Sequence, residues 1–273
     1  MSPLVMSQGR KTKHQPMPKL RHLANRTREL NIFLKMAANQ HDCRIMFIEG
    51  PSGMGKTSLL TRFKQRCPVQ YVPFDCKGVA SVAAFLSLVV AELGRDRFPT
   101  FISKVKVFVQ GGVDFSENDI DADKMVSIAI NSDIDPTTQA HRLEQLQQAF
   151  FDDLSQLEDR VVITLDTYQL ANEALKNWIE SKWLWAVGRQ LKNVVTVIAG
   201  QSVPDSVTNS VWGDECDHFK LAPIVEVTDW CQFCAELQFD LPEEAIKAIA
   251  LGCKGHPANV HQMLSVAIEN WSA

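Results

Sequence analysis

The chain has 273 residues, of which 45% are apolar and 22% are charged, and its net charge is −4. This composition is typical of a soluble globular protein and excludes intrinsic disorder, collagen and a small disulfide-stabilised fold. The length favours one main domain with a small appendage. An odd number of cysteines, seven, and an N-terminus without the pattern of a secretory signal lead us to expect a cytoplasmic protein.

Charge is unevenly distributed along the chain. Residues 1–28 carry seven basic side chains and no acidic one, which leaves 21 basic against 32 acidic side chains in the remainder. We interpret residues 1–20 as a flexible basic tail. The alternative is an arm that contacts nucleic acid or an acidic partner. The acidic remainder argues against an extended nucleic-acid surface, because phosphate contacts dominate such binding.

Apolar patterning predicts alternating helices and strands in the first third of the chain. The predicted elements are, in order, an amphipathic helix within Leu23–Asn39, a strand over Arg44–Glu49, a helix over Lys56–Gln65, a strand over Val69–Phe74 and a helix over Val79–Leu93. The last of these is the longest apolar run. Because Ser81, Ser87 and Glu92 interrupt it, it indicates a buried helix and not a membrane span.

Residues 98–136 combine the β-branched stretches Val105–Val109 and Ile128–Ile130 with a loop rich in Asp and Gly, and the pattern assigns no element to them. Regular patterning then returns. The predicted elements are a helix over Gln139–Leu157, a strand over Arg160–Asp166, a helix over Trp178–Leu191, a strand over Val194–Ala199 and a strand around His218–Leu221. Three helices follow, over Thr228–Leu237, Pro242–Leu251 and Pro257–Trp271.

Strands that alternate with helices of this length predict an α/β fold, with a parallel sheet covered by helices on both faces. The purely helical end of the chain predicts a small appended subdomain. We therefore divide the chain into the basic tail (residues 1–20), an α/β core (residues 21–222) and a helical lid (residues 223–273).

The strongest motif is Gly50-Pro-Ser-Gly-Met-Gly-Lys-Thr57, which matches the phosphate-binding P-loop at every fixed position and lies between a predicted strand and a predicted helix. Its glycines let backbone N–H groups surround phosphate oxygens, and the helix N-terminus adds positive potential. Lys56 is expected to reach the β- and γ-phosphates, and Thr57 to hold Mg²⁺ through its hydroxyl. The predicted nucleotide-binding residues of this segment are Gly50, Pro51, Ser52, Gly53, Met54, Gly55, Lys56, Thr57 and Ser58, with Ser58 opening the helix.

A P-loop enzyme needs a carboxylate at the end of a neighbouring strand to hold Mg²⁺. Asp166 ends the apolar run 161–165 and is the candidate. No second acid follows it directly, and the next one is Glu173. Thr167 or Gln169 can position a water molecule, but neither is a general base near neutral pH. Slow hydrolysis of nucleotide, or none, is therefore expected.

The strand over 194–199 ends in Gly200-Gln201, a place where P-loop ATPases often have a polar residue that senses the γ-phosphate. Gln201 is the candidate for that role, and ordinary turn chemistry is the alternative. Arg160 and Arg189 lie near these strands. Their spacing does not distinguish an arginine finger from a solvated surface charge, so neither is assigned.

These motifs together resemble the STAND NTPases, which are signal-transduction ATPases with numerous domains and relatives of the AAA+ class. The resemblance extends over about residues 20–270. It rests on Asn25-Arg26 with Glu29, the P-loop, Leu-Asp-Thr-Tyr-Gln at 165–169, Val-Ile-Ala-Gly-Gln at 197–201 and Gly255-His-Pro257.

The resemblance implies where the base of ATP or ADP binds. Pro257 is expected to pack against the adenine from the lid, and the segment around Ala24–Arg26, including Arg26, to line the base pocket. A plain turn between two helices is the alternative for Gly255-His-Pro257, since Gly favours the end of a helix and Pro its first position. Bacterial members often carry Glu at the position of Gln169 and Arg at that of Gln201, so this chain departs from the family pattern at both.

The predicted function is that of a nucleotide-dependent switch in a signalling or defence assembly. It binds ATP and Mg²⁺, hydrolyses ATP slowly, and acts on a protein partner or as a homo-oligomer. Two alternatives stay open: a scaffold that binds nucleotide for stability, and an AAA+ ATPase that acts on nucleic acid through the basic tail. No association with a membrane is expected.

A lone CxxC, Cys231-Gln-Phe-Cys234, lies on a predicted amphipathic helix. Cys216, His218 and Cys253 are the residues that would complete a zinc site with it, but no second pair stands at zinc-ribbon spacing. Buried packing cysteines are the favoured interpretation.

Three tryptophans, Trp178, Trp183 and Trp185, surround one predicted helix. We interpret them as core residues because large aromatic side chains dominate core packing. An exposed face that contacts another protein is the alternative.

Overall fold

The computed structural model describes residues 24–77, 81–110, 135–207 and 211–271. Its centre is a parallel sheet of five strands in the order β2-β3-β4-β1-β5. The strands are β1 (Ile45–Glu49), β2 (Gln70–Asp75), β3 (Val161–Asp166), β4 (Val194–Gly200) and β5 (Cys216–Lys220). The basic tail and Ile128–Ile130 lie outside the described residues.

Position in the sheet explains the composition of each strand. β3 and β4 are buried along nearly their whole length, which accounts for their continuous apolar runs. β2 and β5 are edge strands in which exposed and less exposed residues are mixed. Pro73 is tolerated in β2 because an edge strand has a side without ladder hydrogen bonds.

Helices cover both faces of the sheet, and three more helices follow it. Their bounds are α1 (Thr27–Ala37), α2 (Lys56–Arg66), α3 (Val82–Leu93), α4 (Pro99–Gln110), α5 (Pro136–Ser155), α6 (Glu173–Trp178), α7 (Leu184–Arg189), α8 (Val227–Glu236), α9 (Glu243–Gly252) and α10 (Pro257–Trp271). A π-helical turn, Ile179–Trp183, joins α6 to α7. The α/β class with helices on both faces is therefore confirmed.

The alternation of side chains along β1 shows how the two faces are built. Met46 and Ile48 belong to the apolar cluster that α1 and α2 complete. Ile45 and Phe47 belong to the larger cluster on the opposite face, which α3 to α7 complete. Both sets are fully buried because β1 lies between β4 and β5.

The lid helices α8, α9 and α10 form a third, smaller apolar cluster. Its centre holds Trp230, Phe233, Ile246, Val260 and Leu264. Ala24 from the opposite end of the described chain belongs to the same cluster, so the segment before α1 packs on the lid.

Two stretches differ from the sequence expectation. Val105–Val109 lies inside α4, where Phe101, Val105 and Val109 recur every four residues and are buried. The helical period thus outweighs the β-propensity of valine. The helix predicted from Trp178 begins five residues earlier, at Glu173, because Asn172 caps it by accepting the N–H of Leu175 at 2.8 Å.

The buried helix predicted within 79–93 is confirmed as α3, which Ser81 caps. None of the described helices is long and apolar enough to cross a membrane.

Candidate functional site

The loop between β1 and α2 has a backbone that only glycine adopts easily. Gly53 and Gly55 have φ angles of 79° and 87°, in the left-handed region that disfavours side chains. A Cβ at Gly53 would also collide with the ring of His256. α2 begins at Lys56, as the helix predicted over Lys56–Gln65 does, so Ser58 lies in its first turn and does not open it. Its unpaired N–H groups therefore point into the loop itself.

Lys56 spans this loop. Its Nζ donates hydrogen bonds to the carbonyl oxygens of Gly50 at 2.6 Å and Pro51 at 2.8 Å. Burial lowers the pKa of Lys56, and the charge of Asp166 opposes that shift. An ammonium group held across a ring of backbone N–H groups is suited to an anionic ligand with several oxygens.

Thr57 in the first turn of α2 and Asp166 at the end of β3 meet at the carboxyl edge of the sheet, although β4 lies between β3 and β1. Thr57 Oγ1 donates to Asp166 Oδ2 at 2.8 Å. The other carboxylate oxygen of Asp166 accepts the N–H of Thr167 at 2.7 Å. A hydroxyl and a carboxylate this close supply the oxygen ligands that Mg²⁺ prefers, so the residues present fit that ion.

Gln169 and Gln201 also lie at this edge. The side-chain oxygen of Gln169 accepts the N–H of Gln201 at 2.9 Å, which links the loop after β3 to the loop after β4. The side chain of Gln201 is exposed and lines the same cavity as Lys56. Gln169 thus reaches the cavity as part of a hydrogen-bonded pair of loops.

A further carboxylate, Asp75, ends β2 in register with Asp166. Its Oδ1 accepts the N–H of Lys77 at 2.9 Å. Sequence analysis missed this residue, although parallel strands bring their carboxyl ends to one edge. Glu173, the first acid after Asp166 in the sequence, instead pairs with Lys176 at 3.5 Å.

A cavity of about 750 Å³ lies between the P-loop and the lid. Most of the predicted site residues line it, whereas Gly50 and Pro51 do not. Those that do are Arg26, Ser52, Gly53, Met54, Gly55, Lys56, Thr57, Ser58, Asp166, Gln169, Gln201 and Pro257. The lining also includes Ala24, Thr167, Ile224, Trp230, Phe233, Ala258, His261 and Ser265.

The lid side of this cavity is mainly apolar and aromatic. Trp230 and Phe233 pack edge to face with their ring centroids 5.7 Å apart. Burial lowers the pKa of His261, which lies near Phe233. Sequence analysis missed these residues because their helical spacing is that of ordinary core positions. The helix faces that carry these residues are directed toward the P-loop only when the lid helices have packed together.

The start of α10 is hydrogen-bonded to the P-loop. The N–H of Ala258 donates to the carbonyl oxygen of Gly53 at 3.1 Å, and His256 Nε2 lies 3.2 Å from the carbonyl oxygen of Ser52. Because a carbonyl can only accept, Nε2 carries the proton in this contact. The other ring nitrogen, Nδ1, is buried and makes no hydrogen bond within the described part of the chain.

Arg26 connects α1 to the junction between core and lid. It has a left-handed backbone (φ 80°) and donates to the carbonyl oxygen of Ala222 at 2.7 Å. Glu29 lies 3.8 Å from its guanidinium, and burial is the main cause that lowers the pKa of Arg26. Its neighbour Asn25 donates to Asp229 of α8 at 2.6 Å. These contacts hold the lining segment Ala24–Arg26 in place.

The cysteines considered for zinc do not gather. Cys231, Cys234 and Cys253 belong to the lid cluster, whereas Cys216 packs against the core on β5. Within the described ranges, these three thiols, Cys216 and His218 form no group of three ligand atoms close enough for a metal.

Trp178 and Trp183 are buried in the core, as the sequence predicted. The interpretation of Trp185 as a core residue is wrong, because its side chain points outward from the helix and is 46% exposed. Arg160 donates to the carbonyl oxygens of Met36 at 2.7 Å and Lys192 at 3.1 Å, at the end of the sheet opposite the cavity. Arg189 is exposed.

Comparison with known proteins agrees with the geometry. Residues 22–182, more than half of the chain, match the family described as the AAA ATPase domain. None of the curated proteins compared with the sequence matches it.

Three solved structures resemble the fold. A Walker-type ATPase of Pyrococcus abyssi is 15% identical, and the match covers 89% of this chain and 67% of that one with a TM-score of 0.49. A STAND protein with a tetratricopeptide repeat sensor from Pyrococcus horikoshii is 14% identical over 89% of this chain and 29% of that one, with a TM-score of 0.52. Cdc6p from Pyrobaculum aerophilum is 11% identical over 92% and 62%, with a TM-score of 0.51. The chain spans less than two thirds of the length of the last two, and at these identities the likeness to those two shows the fold alone.

Proposed function

The chain belongs to the AAA ATPase domain family, and from that premise we propose that it is a switch whose lid responds to ATP and ADP bound at the P-loop. The observation that carries the proposal is the direct hydrogen bonding of the lid to the P-loop, through Ala258 to Gly53 and His256 to Ser52. A ligand in the cavity between them touches both elements at once.

The phosphates bind at the P-loop. Backbone N–H groups around Gly53 and Gly55, with the N-terminus of α2, surround the phosphate oxygens. Lys56 exchanges its bonds to Gly50 and Pro51 for bonds to phosphate. Thr57 and Asp166 hold Mg²⁺, which neutralises phosphate charge when bound.

The base and ribose occupy the lid side of the cavity. Pro257, Trp230 and Phe233 supply apolar and aromatic surface for a purine ring. The chain carries no Asn-Lys-x-Asp motif for reading guanine, which favours adenine. The segment around Ala24 closes the pocket from the side of α1.

Hydrolysis is slow because the carboxylate needed to activate water does not follow Asp166 on β3. Gln169 orients water by hydrogen bonding, and the loop after β4 holds its side-chain oxygen in place. We assign the role of proton acceptor to Asp75 on the adjacent strand, because β2 and β3 end in register, although Asp75 does not itself line the cavity.

Switching follows from differential binding. A ligand shifts the position of the lid only by as much as its affinity differs between two positions. The γ-phosphate is the sole difference between ATP and ADP, and it lies at the P-loop, where α10 is anchored. We therefore expect the mobility of the start of α10 to differ between the ATP-bound and the ADP-bound protein.

The test combines turnover with lid mobility. Single-turnover hydrolysis of Mg·ATP is measured for the wild type, Asp75→Asn and Glu173→Gln, the last as a matched control because Glu173 pairs with Lys176. Conversion slowed at least about tenfold in Asp75→Asn alone supports the assigned proton acceptor. Equal rates in all three refute it.

Hydrogen exchange of α10 with ADP and with a non-hydrolysable ATP analogue then tests the switch itself. Different protection of Pro257–Trp271 in the two states supports switching. Identical protection together with ATP that stays intact identifies the second candidate, a nucleotide-stabilised scaffold. The observation that favours this candidate is Thr167 at the position directly after Asp166.

The output is proposed to be association with a protein partner or with a second copy. Light scattering with ATP and with ADP tests for homo-oligomers. Stimulation of ATPase activity by DNA or RNA would instead favour action on nucleic acid, provided that deletion of residues 1–21 abolishes the stimulation.

A further inference from the structure

A second cluster of ligand-type side chains lies at the opposite end of the sheet. His41 and Cys43 are in the loop that precedes β1, and Asp217 is the second residue of β5. His41 Nε2 is 2.5 Å from Asp217 Oδ2. One nitrogen, one sulfur and one carboxylate oxygen from these three residues all lie within 4.8 Å of one another. None of the three lines the cavity at the P-loop.

We propose that His41, Cys43 and Asp217 form a binding site for a transition-metal ion of the Zn²⁺ class. Imidazole nitrogen, thiolate sulfur and carboxylate oxygen are the three ligand types that Zn²⁺ takes in proteins. The sulfur and nitrogen donors disfavour Mg²⁺ and Ca²⁺, which require oxygen ligands. Three protein ligands leave the fourth tetrahedral position to water.

The spacing of the donor atoms is close to what the ion requires. Bonds of about 2.0–2.3 Å in a tetrahedral Zn²⁺ site place ligand atoms roughly 3.3–3.8 Å apart. His41 and Asp217 therefore need to separate by about 1 Å when the ion replaces the proton between them. Such a shift is accessible because His41 and Cys43 lie outside any helix or strand.

The site is also open to an incoming ion. The side chains of His41 and Asp217 are 25% and 31% exposed, and Cys43 is partly buried. Water can thus reach the ligands on one side, while Cys43 packs against the cluster beneath α1 and α2 on the other.

The local charge favours a divalent cation. Asp217, Glu215 and Asp42 place negative charge close to Cys43, and this charge attracts a divalent cation such as Zn²⁺. Glu215 itself is paired with Arg44 at 3.1 Å, so it contributes negative electrostatic potential to the site but no ligand atom.

Binding would connect the loop before β1 to an edge strand. Within the described part of the chain, β5 pairs with β1 alone, and a metal bridge from His41 and Cys43 to Asp217 would strengthen the contact that His41 and Asp217 already make. A ligand that binds only the folded state stabilises it by mass action. Occupancy of the site is therefore expected to raise Tm by roughly 5 °C at Zn²⁺ concentrations about 100-fold above Kd.

The experiment titrates the full chain, first freed of metal with a chelator, with Co²⁺ and with Zn²⁺. Co²⁺ bound to Cys43 gives a thiolate charge-transfer band, and Zn²⁺ affinity is read by competition with a chromophoric chelator. One equivalent of metal is expected. Partners that merely orient a ligand cost about 10–100-fold in metal affinity when removed, so Cys43→Ser is expected to lose the band and at least about 100-fold in affinity.

Two further variants decide between explanations. Asp217→Asn keeps a hydrogen-bonding group beside His41 but removes the charge, and it is expected to weaken Zn²⁺ binding while leaving the metal-free Tm close to that of the wild type. Cys231→Ser is the matched control, a partly buried thiol in the lid, and it is expected to bind as the wild type does.

Absence of the band in the wild type, or unchanged Zn²⁺ affinity in Cys43→Ser, would overturn the assignment. Loss of binding in Cys231→Ser would overturn it as well and move the site to the CxxC of α8. Melting curves of each metal-free variant establish that any lost binding does not come from unfolding.

Discussion

The two ends of the parallel sheet carry similar polar side chains but use them differently. At the amino end, Arg44 donates to the carbonyl oxygens of Val187 at 3.2 Å and Gly188 at 3.0 Å, and Arg160 donates to those of Met36 and Lys192. These guanidinium groups hydrogen-bond to backbone carbonyl oxygens of neighbouring elements. Those hydrogen bonds are made within the protein and do not require a ligand.

At the carboxyl end, the polar groups border a cavity of about 750 Å³. Lys56 bonds to the loop that carries it, and Thr57 bonds to Asp166. These bonds are local, and in the proposed complex phosphate and Mg²⁺ would replace them with stronger charge-assisted ones. Arg44 and Arg160 at the amino end thus contribute to stability, whereas Lys56, Thr57 and Asp166 at the carboxyl end belong to the proposed nucleotide site.

The largest effect is expected for Lys56→Ala, at the carboxyl end. Loss of charge-assisted bonds to phosphate should weaken ADP binding at least about 100-fold, or about 3 kcal/mol. Calorimetric titration measures it, and Lys64→Ala, an exposed lysine later in α2, is the control. The Tm without nucleotide should stay near the wild-type value. Intact affinity in Lys56→Ala would show that the cavity is not the nucleotide site.

The next effect is expected for Arg160→Ala, at the amino end. Its bonds to Met36 and Lys192, together with one to Asn39, should contribute about 2 kcal/mol to the free energy of unfolding. Thermal denaturation should show Tm lower by roughly 4–8 °C, with ADP affinity unchanged. Arg189→Ala, which alters an exposed side chain, should leave Tm unaltered. A loss of ADP affinity in Arg160→Ala would contradict the claim that Arg160 contributes to stability and not to nucleotide binding.

A smaller effect is expected for Asp166→Asn. The amide has one acceptor oxygen, so it keeps one of the two bonds that Asp166 accepts from Thr57 and from the N–H of Thr167, and it lacks the charge that Mg²⁺ requires. ADP affinity with Mg²⁺ should fall about tenfold, or about 1.4 kcal/mol, and should change little without Mg²⁺. Glu173→Gln serves as the control. An identical Mg²⁺ dependence in Asp166→Asn and the wild type would remove Asp166 from the metal site.

The smallest effect concerns pH and His261 on the lid. Because burial lowers the pKa of His261, the unfolded chain takes up a proton at a higher pH than the folded one. Stability should therefore fall as pH drops through about 6.5, the value of an unperturbed histidine. His261→Gln should lose less Tm between about pH 7.5 and about pH 5 than the control His141→Gln, which alters an exposed residue. Equal pH slopes in the two variants would contradict this.

Sequence patterning predicted most of the fold because the periods involved are short. β1, β3 and β4 are continuous apolar runs, and α5 repeats its apolar residues every three or four positions. The stretch 98–110 was not assigned because its valines favour strands in isolation. Its burial every four residues becomes decisive only once α5 packs beside α4.

The residues of the candidate site likewise divide into those that the sequence predicted and those that it missed. The P-loop was recognisable because its glycines, Lys56 and Thr57 lie within eight consecutive residues. Asp75 was missed because its relation to Asp166 is a register between two strands. Trp230 and Phe233 were missed because an apolar helix face looks the same whether it contacts a core or a ligand.

The sequence alone determined the order of strands and helices, the phosphate-binding loop and the carboxylate that ends β3, because each depends on residues adjacent in the chain. The tertiary structure decided which groups meet. Thr57 and Asp166 are 109 residues apart, His256 and Ser52 are 204 apart, and His41 and Asp217 are 176 apart. No local pattern encodes such pairs, since they arise only when the parallel sheet and the packing of the lid bring distant segments to one edge.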